Sequence, residues 1–131
     1  MPIRVAIVED DPVLRASLER VVQGEGDLKW MGSYGSAEEF MARTAGLEGL
    51  DVVLMDIQMP EMNGYEAAKA IRALPGDKSR IPIIAMSANV MKAEVDRCLE
   101  AGMNAFVPKP YKKEQLLSAI ERMPAERTTG A

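Results

Sequence analysis

Asp51-Val52-Val53-Leu54-Met55-Asp56-Ile57-Gln58-Met59-Pro60-Glu61-Met62-Asn63-Gly64 is the stretch on which the reading of this chain turns. The run from Asp51 to Met55 reads as a buried strand, with Asp56 at its end. A carboxylate in that position is costly to bury unless it has a partner or a task. Partners are available: the acidic cluster Glu9-Asp10-Asp11, the hydroxyl of Ser87 and the ammonium of Lys109. Each also lies at the end of an apolar run, and four matched groups at four strand ends argue for one site.

Outward from this stretch, the chain alternates strand and helix patterns. Ile3 to Val8 is short, β-branched and bounded by acids, as a buried strand should be. After Pro12, a helical stripe of Leu14, Leu18, Val21 and Val22 ends at Gly24 and Gly26. Leu28 to Tyr34 reads as a weaker strand. Ser36 and Glu39 form a capping box for a helix carrying Ala37, Phe40 and Met41. Asn63 or Gly64 opens a helix with Ala67, Ala68, Ile71 and Leu74, stopped by Pro75-Gly76. Ile81 to Met86 is the fourth strand, and Met91, Val95, Cys98 and Leu99 give a helical stripe closed by Gly102. Ala105-Phe106-Val107 is a short strand, and Leu116, Leu117, Ile120 and Met123 mark a last helix.

Five strands alternating with five helices imply an α/β fold, a parallel sheet with helices on both faces. In such sheets chemistry collects beyond the carboxyl ends of the strands, where strand order reverses. That rule gathers Glu9, Asp10, Asp11, Asp56, Ser87 and Lys109 at one rim.

A chain of 131 residues reads as one domain, and 47% hydrophobic content gives it a core of ordinary size. We expect the domain to span residues 1–124, with the small, polar stretch Ala125 to Ala131 a flexible tail or linker stub. A single cysteine forms no internal disulfide, and no stretch resembles a signal peptide or membrane span, so a cytoplasmic location is expected. The net charge of −4 opposes binding to nucleic acid. The absence of histidine removes serine–histidine and cysteine–histidine catalysis and the usual zinc ligand sets.

With these residues in view, the chain resembles a response regulator receiver domain of two-component signalling. The resemblance rests on Val8-Glu9-Asp10-Asp11-Pro12, Met55-Asp56-Ile57-Gln58-Met59-Pro60, Asn63-Gly64, Met86-Ser87-Ala88 and Pro108-Lys109-Pro110, and runs from about Ile3 to Met123. It implies a doubly wound (βα)5 flavodoxin-like three-layer sandwich with strand order 2-1-3-4-5. It also implies a domain that takes phosphate onto an aspartate from a phosphohistidine on a sensor histidine kinase or histidine phosphotransfer protein.

By that resemblance Asp56 is the nucleophile and phosphoacceptor. Asp10, Asp56 and the backbone carbonyl of Gln58 would hold Mg2+ (or Mn2+), with Glu9 acting through water. Magnesium prefers hard oxygens and keeps several waters. Asp11, just before Pro12, either joins the cluster or caps the first helix. Lys109 would pair with a phosphate oxygen, aimed by a cis bond to Pro110. Ser87 would bond the phosphoryl group once present, and Phe106 would swing inward as it did so. Gln58 and Asn89 flank the site where the family tunes phosphate lifetime. The responding surface would be the fourth helix, fifth strand and fifth helix, around Lys92, Phe106 and Lys113. The phosphodonor would dock near Val13 and Leu14.

A phosphatase of the haloacid dehalogenase type needs a second aspartate where Gln58 stands, so turnover of an external substrate is not expected. A flavodoxin would meet repulsion between Glu9-Asp10-Asp11 and the flavin phosphate. The remaining alternative is a receiver-like module that acts by binding alone, although the acceptor, the acidic pair and the lysine are all present. The downstream partner, a separate protein or an attached output domain, is not legible.

Overall fold

Alternate residues of the inner strands go to opposite faces of one sheet, and both faces are apolar there, which is why those strands read as near-continuous hydrophobic runs. The computed structural model of the protein describes residues 3–43, 50–57, 64–73, 80–88, 91–109 and 111–122. The order is β1 (Ile3–Val8), α1 (Pro12–Gln23), β2 (Leu28–Tyr34), α2 (Ala37–Arg43), β3 (Val52–Asp56), α3 (Gly64–Arg72), β4 (Ile83–Ser87), α4 (Lys92–Glu100), β5 (Ala105–Pro108) and α5 (Lys113–Arg122). The five strands are parallel in the order β2-β1-β3-β4-β5, as expected.

Two cores result. Val5, Ile7, Val52, Leu54, Ile84 and Met86 face α1 and α5, packing on Leu18, Val22, Leu116 and Ile120. Ala6, Val8, Val53, Met55, Ile83 and Ala85 face α2, α3 and α4, packing on Phe40, Ala68, Ile71 and Cys98. The order reverses at β1, which feeds β2 on one side while β3 pairs on the other. The crevice at that point lies beside Glu9 and Asp56.

Helix ends follow local chemistry. The carboxylate of Asp11 caps α1, accepting from the N–H groups of Val13 at 2.9 Å and Leu14 at 3.4 Å, with Pro12 in the first turn. Asp11 is thereby a cap. Ser36 Oγ accepts from the Glu39 N–H at 3.1 Å, the first half of the expected capping box. At Gly64 a Cβ would lie 2.7 Å from the Ile57 Cα, so only glycine lets α3 start this close to the end of β3.

Three expectations need correction. β3 begins at Val52, because Asp51 is occupied in accepting the Arg4 N–H at 2.9 Å, and it runs through Asp56, which belongs to the strand. β4 starts at Ile83 and includes Ser87. In α4 the expected stripe is narrower: Cys98 is buried and Val95 half-buried, but Met91 is 69% and Leu99 55% exposed. Gln58, Met59, Met62, Asn63, Leu74, Pro75, Gly76, Asn89, Pro110, Met123 and the tail from Ala125 lie outside the described residues.

Candidate functional site

Parallel strands deliver their last residues to the same edge, and here four of them deliver groups that complement one another. β3 ends on Asp56 and β1 leads into Glu9, each only 1% exposed. Asp10 follows at the solvent side of Glu9. β4 ends on Ser87, fully buried and opposite Pro108 in the register, so Lys109 emerges next to it. The Lys109 N–H donates to the Ser87 carbonyl at 2.8 Å, and the Ile57 N–H to the Met86 carbonyl at 3.1 Å. The backbone ends of β3, β4 and β5 are thus tied together directly beneath the side chains.

The ammonium of Lys109 donates to Asp56 Oδ1 at 2.9 Å and lies 3.1 Å from Glu9 Oε1. The second contact is ionic without hydrogen-bond geometry, and Glu9 Oε1 is a buried oxygen with no hydrogen-bond donor. The other oxygen, Oε2, accepts the Asp11 N–H at 3.3 Å. Burial chiefly, then a shared hydrogen bond with Asp56 and the charge of Asp56, push the Glu9 carboxyl up to about 7 against the pull of Lys109. Burial pulls the Lys109 ammonium down, but Asp56 and Glu9 outweigh it and hold it above the ordinary lysine value.

The site therefore has more negative charge than its own cation balances. When ionised, three carboxylates against one ammonium leave two surplus charges. One oxygen from each of Glu9, Asp10 and Asp56 lies within 4.8 Å of the others. Hard oxygen donors, a surplus of two and a buried oxygen lacking a donor fit a divalent cation such as Mg2+ or Mn2+. Asp11, turned to its capping role, takes no part.

The structure thus brings together Glu9, Asp10, Asp56, Ser87 and Lys109, as the sequence implied. Phe106 is half-buried and packs against the core on the α2–α4 side. One participant was not foreseen. Arg15 of α1 donates from Nη1 to the Glu9 carbonyl at 3.0 Å. Its position one turn into α1 placed it near the acids, but an arginine there reads as a solvated charge.

Comparison with known proteins agrees with this geometry. Residues 5–121 match the response regulator receiver domain family. The chain is 31% identical to probable histidine kinase 5 of Oryza sativa subsp. japonica, over 88% of its own length and 11% of the kinase. It is 33% identical to the transcriptional regulatory protein PdtaR of Mycobacterium tuberculosis (strain CDC 1551 / Oshkosh), over 92% of its length and 56% of that protein. The chain therefore spans a tenth to about half of these curated relatives. The receiver domain of the sensor histidine kinase PA1611 from Pseudomonas aeruginosa PAO1, solved with a magnesium ion coordinated in its active site cleft, superposes with a TM-score of 0.80 at 30% identity, covering 95% of this chain and 99% of that one. With its sheet order, acidic cleft and apposed lysine, this chain belongs to the response regulator receiver domain family.

Proposed function

We propose that this receiver accepts a phosphoryl group on Asp56 from a phosphohistidine of a sensor histidine kinase or histidine phosphotransfer protein. The observation that carries the reading is the pairing of Asp56 with Lys109 beside the Glu9 and Asp10 carboxylates. An Asp56 carboxylate oxygen attacks phosphorus, the N–P bond of the donor breaks, and the imidazole leaves with that electron pair. Lys109, already 2.9 Å from Asp56, follows the new phosphoryl oxygens. Asp10, Asp56 and the Gln58 carbonyl, with Glu9 through water, would hold Mg2+ (or Mn2+), which would supply charge neutralisation. No turnover of an external substrate is expected.

The product adds about −1.5 to −2 charges beside Lys109 and Ser87. Ser87 bonds the phosphoryl group only when it is present, so its contact differs between the two states. Phe106 still has exposed surface to bury and follows Ser87 inward. Moving a two-state balance from 1:99 to 99:1 takes about 5.5 kcal/mol of differential interaction. The face of α4, β5 and α5, with Lys92, Phe106 and Lys113, carries the change to a downstream protein or attached output domain. The phosphodonor docks at α1 around Leu14 and Val13, the latter 74% exposed. The acidic chain binds neither nucleic acid nor membrane, and no described helix is long and apolar enough to cross one. We assign residues 1–124 to the receiver, residues 125–131 to a tail, and the chain to the cytoplasm.

Intact mass after incubation with acetyl phosphate, with and without Mg2+, tests this on wild type and Asp56→Asn. One Mg2+-dependent phosphoryl adduct, absent from the variant, is expected. A folded wild type that gains no adduct at any time point, and binds no beryllofluoride, would leave a module that works by binding alone.

A further inference from the structure

We infer that Arg15 is a positioning residue for the acidic pair, acting through the peptide that joins Glu9 to Asp10; the inference rests on the phosphoacceptor reading above. β1 pairs with both neighbours only as far as Val8, and the Glu9 N–H makes one more bond, to the Tyr34 carbonyl at 3.0 Å. Beyond that the chain leaves the sheet, and the Glu9 carbonyl finds its partner in Arg15 Nη1 at 3.0 Å. The Glu9–Asp10 peptide is planar, so fixing the direction of its carbonyl fixes where the Asp10 Cα lies. The Asp10 carboxylate is on the solvent side of the cluster and has no anchor among the described residues, whereas Glu9 is already held by Lys109 and the Asp11 N–H.

Room for the guanidinium is built into the next strand end. Gly35 follows β2, and a Cβ there would lie 3.2 Å from Arg15 Nη1. The Arg15 N–H makes the ordinary first-turn bond of α1, to the Asp11 carbonyl at 2.9 Å. From there its side chain reaches back over the turn its own helix begins, to the Glu9 carbonyl.

Mg2+ titration calorimetry and acetyl phosphate kinetics across Mg2+ concentrations, on the full chain, test the assignment. Arg15→Met keeps the apolar stem and removes every donor. It should weaken Mg2+ binding on the order of tenfold, the low end for partners that orient metal ligands. The phosphorylation rate at saturating Mg2+ should stay within about twofold, because Asp56 and Lys109 are untouched. Arg15→Lys, which can still donate to the carbonyl, should recover most of the affinity. Arg20→Met, which loses the same charge further along α1, should leave it unchanged. If Arg15→Met does not fold, Arg15→Gln decides, since it keeps a polar side chain too short to reach the Glu9 carbonyl and should weaken Mg2+ in the same direction. Equal Mg2+ affinity in wild type and Arg15→Met, equal losses in Arg15→Met and Arg20→Met, or an unchanged Arg15→Gln in the fallback would overturn the assignment of Arg15 alone. A wild type that binds no Mg2+ and takes no phosphoryl group overturns the phosphoacceptor reading itself.

Discussion

Two cations hold the strands of this sheet at opposite ends, Lys109 at the carboxyl edge and Arg72 at the amino edge. Arg72, in the last turn of α3, donates to the Gly102 carbonyl at 3.0 and 2.6 Å, the Ile81 carbonyl at 2.8 Å and Asn104 Oδ1 at 2.8 Å. Asn104 in turn accepts the Ile83 N–H at 2.9 Å, so α3, the close of α4 and the starts of β4 and β5 share one network. Gly102 makes this possible with φ +100, a left-handed conformation that a side chain would strain. Lys109 meets buried carboxylates instead, one of whose oxygens lacks a hydrogen-bond donor. The amino edge is satisfied and spends its hydrogen bonds on stability. The carboxyl edge is left short of positive charge, a deficit that a divalent cation can fill.

The comparison breaks first at Arg72. Arg72→Ala strands two backbone carbonyls and removes a bond to Asn104 Oδ1, and should destabilise by about 3 kcal/mol, since hydrogen bonds from a charged donor contribute roughly 1.5–3 kcal/mol each and do not add fully. Urea unfolding measures that loss, while the acetyl phosphate adduct on the folded fraction should still form. A variant that loses adduct formation while staying folded would show that the two ends are not separable.

Gly64→Ala attacks the other end through sterics. The new Cβ, 2.7 Å from the Ile57 Cα and 3.0 Å from the Asp56 carbonyl, meets backbone rather than a flexible side chain. Overpacking of this kind costs about 1–3 kcal/mol. Because the displaced backbone carries Asp56, both the unfolding midpoint and the phosphorylation rate should fall, in contrast to Arg72→Ala.

Glu9→Gln sharpens the comparison by removing charge from the end that has too much. The Glu9 carboxyl is pushed up to about 7 by burial and Asp56, above the 4.5 of an ordinary glutamate. The folded state then holds a proton that the unfolded chain has lost between those values. The stability this group contributes is fully present below about 4.5 and is lost as pH rises through about 7. Glu9→Gln should therefore match wild type near pH 5 and exceed it near pH 8 by about 1–2 kcal/mol, partly offset by the lost ion pair with Lys109. Mg2+ should stabilise wild type more at the higher pH, since a ligand must give up its proton to bind metal, and the variant less at both. Thermal melts at the two pH values, with and without Mg2+, give all four comparisons.

The carboxyl edge was largely legible in the sequence and the amino edge was not. Asp56, Glu9, Asp10, Ser87 and Lys109 each close an apolar run, and parallel topology sends the ends of such runs to one place. Arg72 sits between Ile71 and Ala73 with nothing to separate it from a solvated helix charge; two of its partners are backbone carbonyls, which no residue type announces. Gly102 was visible as a helix stop, yet not as the acceptor for an arginine thirty residues away. The stripe in α4 shows a similar limit. Periodicity identified the face with Cys98 at its centre, but the width of contact depends on how the helix lies, which left Met91 and Leu99 in solvent. In the same helix Arg97 stacks over the Tyr65 ring at 4.4 Å, a contact between α3 and α4 that the pattern of apolar residues does not encode.

A third cation supplies the smallest effect and the baseline for the other two. Lys92 pairs with Asp96 one turn on in α4 at 3.5 Å, but the two side chains are 90% and 51% exposed. An exposed pair at this spacing contributes about 0.3–0.5 kcal/mol and is screened by salt. Met91, which precedes the helix, makes no side-chain cap bond. Lys92→Ala should change the unfolding free energy by less than about 0.5 kcal/mol, and the change should vanish at high salt. A large, salt-resistant loss would mean that the first turn of α4 is fixed as firmly as its Arg72-bound end. The weak end of α4 would then be the wrong place to look for a phosphorylation-linked shift, and the responding motion would have to lie in β5 and α5.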